Sequence, residues 1–72
     1  MSKPRTELAR VLREAREASG LTLEQVADRM SKSITTVHDY ESGRVEPPGL
    51  TLLRLARVLG VDVRRLMTKL AA

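Results

Sequence analysis

His38 and Asp39 are adjacent, and by residue type they could exchange a proton. Acid–base catalysis needs more than a neighbouring pair: a nucleophile or substrate-holding group in reach, a second base or orienting residue, and a cleft. His38 is the sole histidine and there is no cysteine, so neither a Cys/His metal site nor a nucleophile–histidine pair can be assembled. The expectation is a non-enzyme with no cofactor and no metal, in which His38 faces solvent or a phosphate. What remains with chemical potential is charge, 13 Lys and Arg against 9 Asp and Glu, a formal net charge of +4. Such an excess suits nucleic acid, an anionic membrane or a merely soluble surface, and it is too mild to choose among them. The pattern of motifs has to choose.

The elements that would position these groups are helices. Phe, Trp and Cys are absent and Tyr40 is the only aromatic, while Leu, Arg, Ala, Glu and Val dominate. A chain of 72 residues hides only about 60% of its unfolded surface, enough for one modest core and one domain, residues 1–72, with 1–5 as a basic arm. No apolar run approaches the ~20 residues of a membrane span, and the basic Met1–Arg5 start lacks the apolar stretch of a secretory signal. Together with the lack of cysteine, this makes the cytoplasm the expected location and a membrane partner unexpected.

Periodicity predicts five short helices in a compact all-α bundle. In the first, Glu7 to Ser19, the residues Leu8, Leu12, Ala15 and Ser19 share a face, and Gly20 stops it. Thr22 and Gln25 form a capping box, with Leu21 and Val26 as its hydrophobic staple, opening a helix from Leu23 to about Met30. Ser33 caps a third, from about Ile34 to Glu41, with Val37 and Tyr40 inward and Gly43 after it. Arg44 to Gly49, holding Pro47-Pro48, is the one clear irregular connection. A fourth helix starts near Gly49 or Leu50 with the stripe Leu52, Leu55, Ala56 and Leu59, and Gly60 ends it. Asp62 then caps a fifth that carries Leu66, Met67 and Leu70, with Val61 stapled to Leu66.

Two helices joined by three residues cannot lie antiparallel, so the second and third must cross steeply, as in a helix-turn-helix. The runs Gly20-Leu21-Thr22-Leu23-Glu24-Gln25-Val26-Ala27, Ser33-Ile34-Thr35-Thr36-Val37, Tyr40-Glu41-Ser42-Gly43-Arg44 and Leu55-Ala56-Arg57-Val58-Leu59-Gly60-Val61 occur in that order. In content and spacing they resemble the Cro/cI-type, XRE-like helix-turn-helix family over roughly Leu8 to Met67. The resemblance implies core roles for Ala27, where the two helices approach most closely, and for Val37 beneath the third helix. It also implies an ion pair between Arg16 and Glu41.

In this family the third helix lies in the major groove with its N-terminal residues at base edges. Matched positions imply base readout by Ile34, Thr35, Thr36 and Asp39, with His38 flanking. Ile34 is unusual there, and a thymine methyl would suit it, while Asp39 could accept from a cytosine amino group. An inward position for Ile34, or a contact to a partner protein, is the alternative. Residues Ser33–Ser42 contain no Lys or Arg, so phosphate contacts fall to Ser33, Ser42, Arg44, Lys32, Arg10, Arg13, Lys3 and Arg5, with Arg44 foremost. Arg64-Arg65 reads as a solvated face.

The chain departs from the family at Ser31, where the turn has glycine, at Lys32, where an apolar residue is common, and at Leu23, where a polar group touches phosphate. Gly49 and Leu50 depart as well. Family dimers on inverted repeats imply a homodimer interface over Val45, Pro47, Pro48, Gly49, Leu50, Val63 and Met67, unless Leu50 and Met67 merely close a monomeric core. The expected function is a sequence-specific, double-stranded DNA-binding transcriptional regulator, a repressor by family habit. The other reading is a protein-interaction module, antitoxin-like or an adaptor, with DNA binding secondary.

Overall fold

The computed structural model describes residues 6–66, and Lys3, Arg5, Met67 and Leu70 lie outside them. Four helices follow in order, α1 (Glu7–Ala18), α2 (Leu23–Met30), α3 (Ile34–Ser42) and α4 (Gly49–Leu59). A fifth helix, α5, opens at residues 63–66. There is no strand among the described residues.

Side-chain caps set the starts of α1, α2 and α3. Thr6 Oγ1 accepts the Ala9 amide at 3.0 Å, and the Thr22–Gln25 capping box closes in both directions, at 3.1 and 2.9 Å. Ser33 Oγ accepts the amide of Thr36 at 3.1 Å. α4 begins differently, at Pro48, which makes no side-chain cap; a fixed proline φ suits a helix entry. All four helices close in one way, an amide just beyond the end reaching a carbonyl five residues back: Leu21 to Arg16, Lys32 to Ala27, Arg44 to Asp39 and Val61 to Ala56. That closure requires a left-handed residue. Gly43 and Gly60 supply it at φ 80° and 70°, but on α2 Ser31 does so at φ 54°, the only non-glycine with positive φ among the described residues.

Leu12, Val26, Val37 and Leu66 are the most deeply buried large side chains, and Leu8, Val11, Ala27, Met30, Tyr40, Leu52, Leu55, Ala56 and Leu59 pack around them. The α1 stripe is therefore wider than Leu8, Leu12 and Ala15 alone, since Ala9 and Val11 are buried too. Ser19, expected on the inner face, is exposed and serves as a tie instead. Its Oγ lies 2.8 Å from both the Ala15 and Leu59 carbonyl oxygens, giving the last turn of α4 a partner from α1. α3 packs on α1 and α2, and α4 packs on α2.

Candidate nucleic-acid interface

The residues of α3 divide by exposure, with Thr36, Asp39 and Ser42 half-buried between the two sets. Val37, Tyr40 and Glu41 are buried, and Ile34, Thr35 and His38 are exposed. Ile34, His38 and Ser42 follow at intervals of four, so they share a face, with Thr35 and Asp39 one row aside. At 46% exposure Ile34 is not a core residue, and it stands at the first turn of the helix.

Ser33 and Thr36 are more committed. Their hydroxyl oxygens lie 2.9 Å apart while Ser33 also accepts the Thr36 amide, so the half-buried Thr36 faces its own cap. Ser42 Oγ donates to the Asp39 carbonyl at 3.2 Å, and the amides of Arg44 and Val45 reach that same oxygen. The end of α3 is thus held shut, and Arg44 leaves it as an exposed side chain.

Beneath this surface Arg16 joins α1 to α3. Its Nε donates to Glu41 Oε2 at 2.7 Å and its Nη1 to the Leu21 carbonyl at 2.9 Å, with only 14% of the Arg16 side chain and 8% of the Glu41 side chain exposed. A buried carboxylate without a partner is costly, and the planar fork of arginine meets it and a carbonyl together. α3 is thereby fixed to α1 from its inner side.

The expected phosphate cations differ in their freedom. Arg10 bridges Glu7 and Glu14, and Arg13 lies 3.6 Å from Glu17. The hydrogen bond to Glu7, then the charges of Glu7 and Glu14, raise the Arg10 pKa above the ordinary guanidinium value. Lys32 and Arg44 are exposed with no ion pair among the described residues. Leu23, standing where the family places a phosphate contact, is half-buried against the core.

Apolar surface collects around the α3–α4 connection and α4. Val45, Leu50 and Leu53 are 47%, 64% and 48% exposed, and a groove of about 530 Å³ is lined by Pro47, Pro48, Gly49, Leu52, Leu53 and Val63 with Glu46. Leu50 therefore does not close a monomeric core. Pro47 is buried and Val63 half-buried, so within the chain both are already packed. Leu53 was missed in the sequence because it lies one position outside the inward stripe of α4. Arg29, Arg54 and Arg57 were missed too, although Arg54 and Arg57, three apart with no acid within a turn, are a legible signal.

The pattern of the family described as "Helix-turn-helix domain" matches residues 7–68. Among solved structures, the clp gene regulator ClgR from C. glutamicum superposes with a TM-score of 0.79 at 28% identity, covering 89% of this chain and 83% of that one. The restriction-modification controller protein C.AhdI from Aeromonas hydrophila gives a TM-score of 0.76 at 30% identity, covering 82% and 89%. Multiprotein-bridging factor 1 of Eremothecium gossypii is 33% identical over 57 residues, 79% of this chain and 38% of its own length. The chain spans about two fifths of the length of the curated relatives it matches. With the cap-turn-cap geometry of α2 and α3, the outward face of α3 and a family match over nearly its whole length, the chain belongs to the helix-turn-helix domain family, in its Cro/cI-like, XRE-type branch.

Proposed function

We propose that this chain is a sequence-specific double-stranded DNA-binding transcriptional regulator, a cytoplasmic repressor that binds an inverted-repeat operator as a homodimer with α3 in the major groove. The observation that carries the reading is the exposed row Ile34, Thr35 and His38 at the start of α3, held outward while Val37, Tyr40 and Glu41 anchor the helix. With its side chains an α-helix is about 10–12 Å across, and a major groove about 12 Å wide admits it. Ile34 meets a thymine methyl, Thr35 bonds a base edge, Asp39 accepts from a cytosine amino group, and Ser33, Ser42, Lys32 and Arg44 take phosphates. Val45, Pro48 and Leu50, with Val63 and Met67, supply the dimer contact. The regulator and controller proteins with the same fold support this reading.

Selection from a random duplex pool tests it. The expected survivors carry an inverted repeat with half-sites about 10 base pairs apart or a multiple of that. An unenriched pool overturns the reading and favours a protein-interaction module, to which the likeness to a protein named for bridging lends some support.

A further inference from the structure

At the seam of α2 and α4, Arg29, Met30, Ser31, Arg54, Arg57 and Val58 line a pocket of about 310 Å³. Three arginines line it and no acidic residue does. Each of the three arginines is exposed and makes no salt bridge among the described residues. α1 shows the contrast, because Arg10, Arg13 and Arg16 each have a glutamate. α4 contains no acidic residue at all, and Arg54 and Arg57 are three apart on one of its faces, a like-charge spacing that destabilises a helix. A cation in a last helical turn offsets the helix dipole, which accounts for Arg29 and Arg57 singly. It accounts neither for Arg54 nor for the convergence of all three on one pocket.

We propose that this pocket docks an acidic segment of a partner protein, one that places an apolar side chain between carboxylates. Met30 and Val58 provide apolar wall between the arginines, and forked guanidinium groups bind carboxylates bidentately. A duplex backbone offers charge without an apolar group, so the chemistry of the lining favours a peptide. No residue of the α3 row contributes to the pocket, and the inference does not depend on the DNA-binding reading.

The probe is a labelled synthetic peptide of alternating glutamate and leucine, titrated into the full chain by fluorescence anisotropy. Arg54→Gln with Arg57→Gln is expected to weaken binding about tenfold or more, and Arg65→Gln, exposed on α5, less than about twofold. Replacing leucine by serine in the peptide is expected to weaken binding as well. The proposal is overturned if the chain does not bind the peptide, if Arg65→Gln matches the double variant, or if the serine peptide binds equally. It is also overturned if the double variant lowers the salt slope of duplex binding by nearly two, since the arginines then serve phosphates.

Discussion

Glu41 is the one charged residue buried in the described chain, and its charge is met by a single arginine. Removing the carboxylate by Glu41→Ala leaves Arg16 nearly buried with only the Leu21 carbonyl, and the expected loss is about 3 kcal/mol, read from denaturant unfolding. An unchanged midpoint would refute a structural role for the pair. Glu41→Gln keeps an acceptor and should lose less. Ile34 asks for the opposite experiment, because its exposure separates stability from recognition. Ile34→Ala should leave the unfolding free energy within about 0.5 kcal/mol of the original while relaxing preference at one base pair by about 1 kcal/mol. Retained specificity would take Ile34 out of the readout. Both residues stood out in the sequence through their match to family positions, whereas the commitment of Thr36 to Ser33 did not. That contact depends on how two hydroxyls share one helical turn, which residue types alone do not specify.

At the scale of elements, the boundaries of α1 to α4 were legible to within a residue because caps are local chemistry. Thr22, Gln25 and Ser33 name their own partners a turn away, and Gly43 and Gly60 mark left-handed closures. What lay beyond local chemistry was illegible: the tie from Ser19 to Leu59, the burial of Pro47 and the pocket shared by Arg29 and Arg57 all join segments far apart in sequence. Ser31 sits between these cases. Its place in a glycine position foretells strain, and its φ of 54° in an otherwise normal closure locates it. A left-handed L-residue costs about 1–2 kcal/mol and an added glycine loses about 0.5–1 kcal/mol to chain entropy. Ser31→Gly should therefore raise stability by up to about 1.5 kcal/mol, a rise of several degrees in melting temperature. Ser31 is exposed, so no lost packing obscures the comparison, and a fall in melting temperature would show that the serine is not strained.

For the molecule as a whole, the question is how many of its cations a duplex can recruit. The candidates were Lys3, Arg5, Arg10, Arg13, Lys32 and Arg44, but a cation held by glutamates must release them before it can serve a phosphate. Exposed pairs of this kind are weak, so the exchange is open energetically, and the salt dependence of binding decides it. Each neutralised phosphate contributes about −0.9 to the slope of log K against log salt. If Arg10 and Arg13 keep their glutamates, the four others give about −3.6 per chain, and if both switch partners the slope steepens to about −5.4. Arg10→Gln should then leave the slope unchanged in the first case and lower it by about 0.9 in the second, whereas Arg44→Gln should lower it in either. A slope near zero for the unaltered chain would remove electrostatic attachment to DNA altogether, leaving the outward row of α3 without the contacts that hold it in a groove.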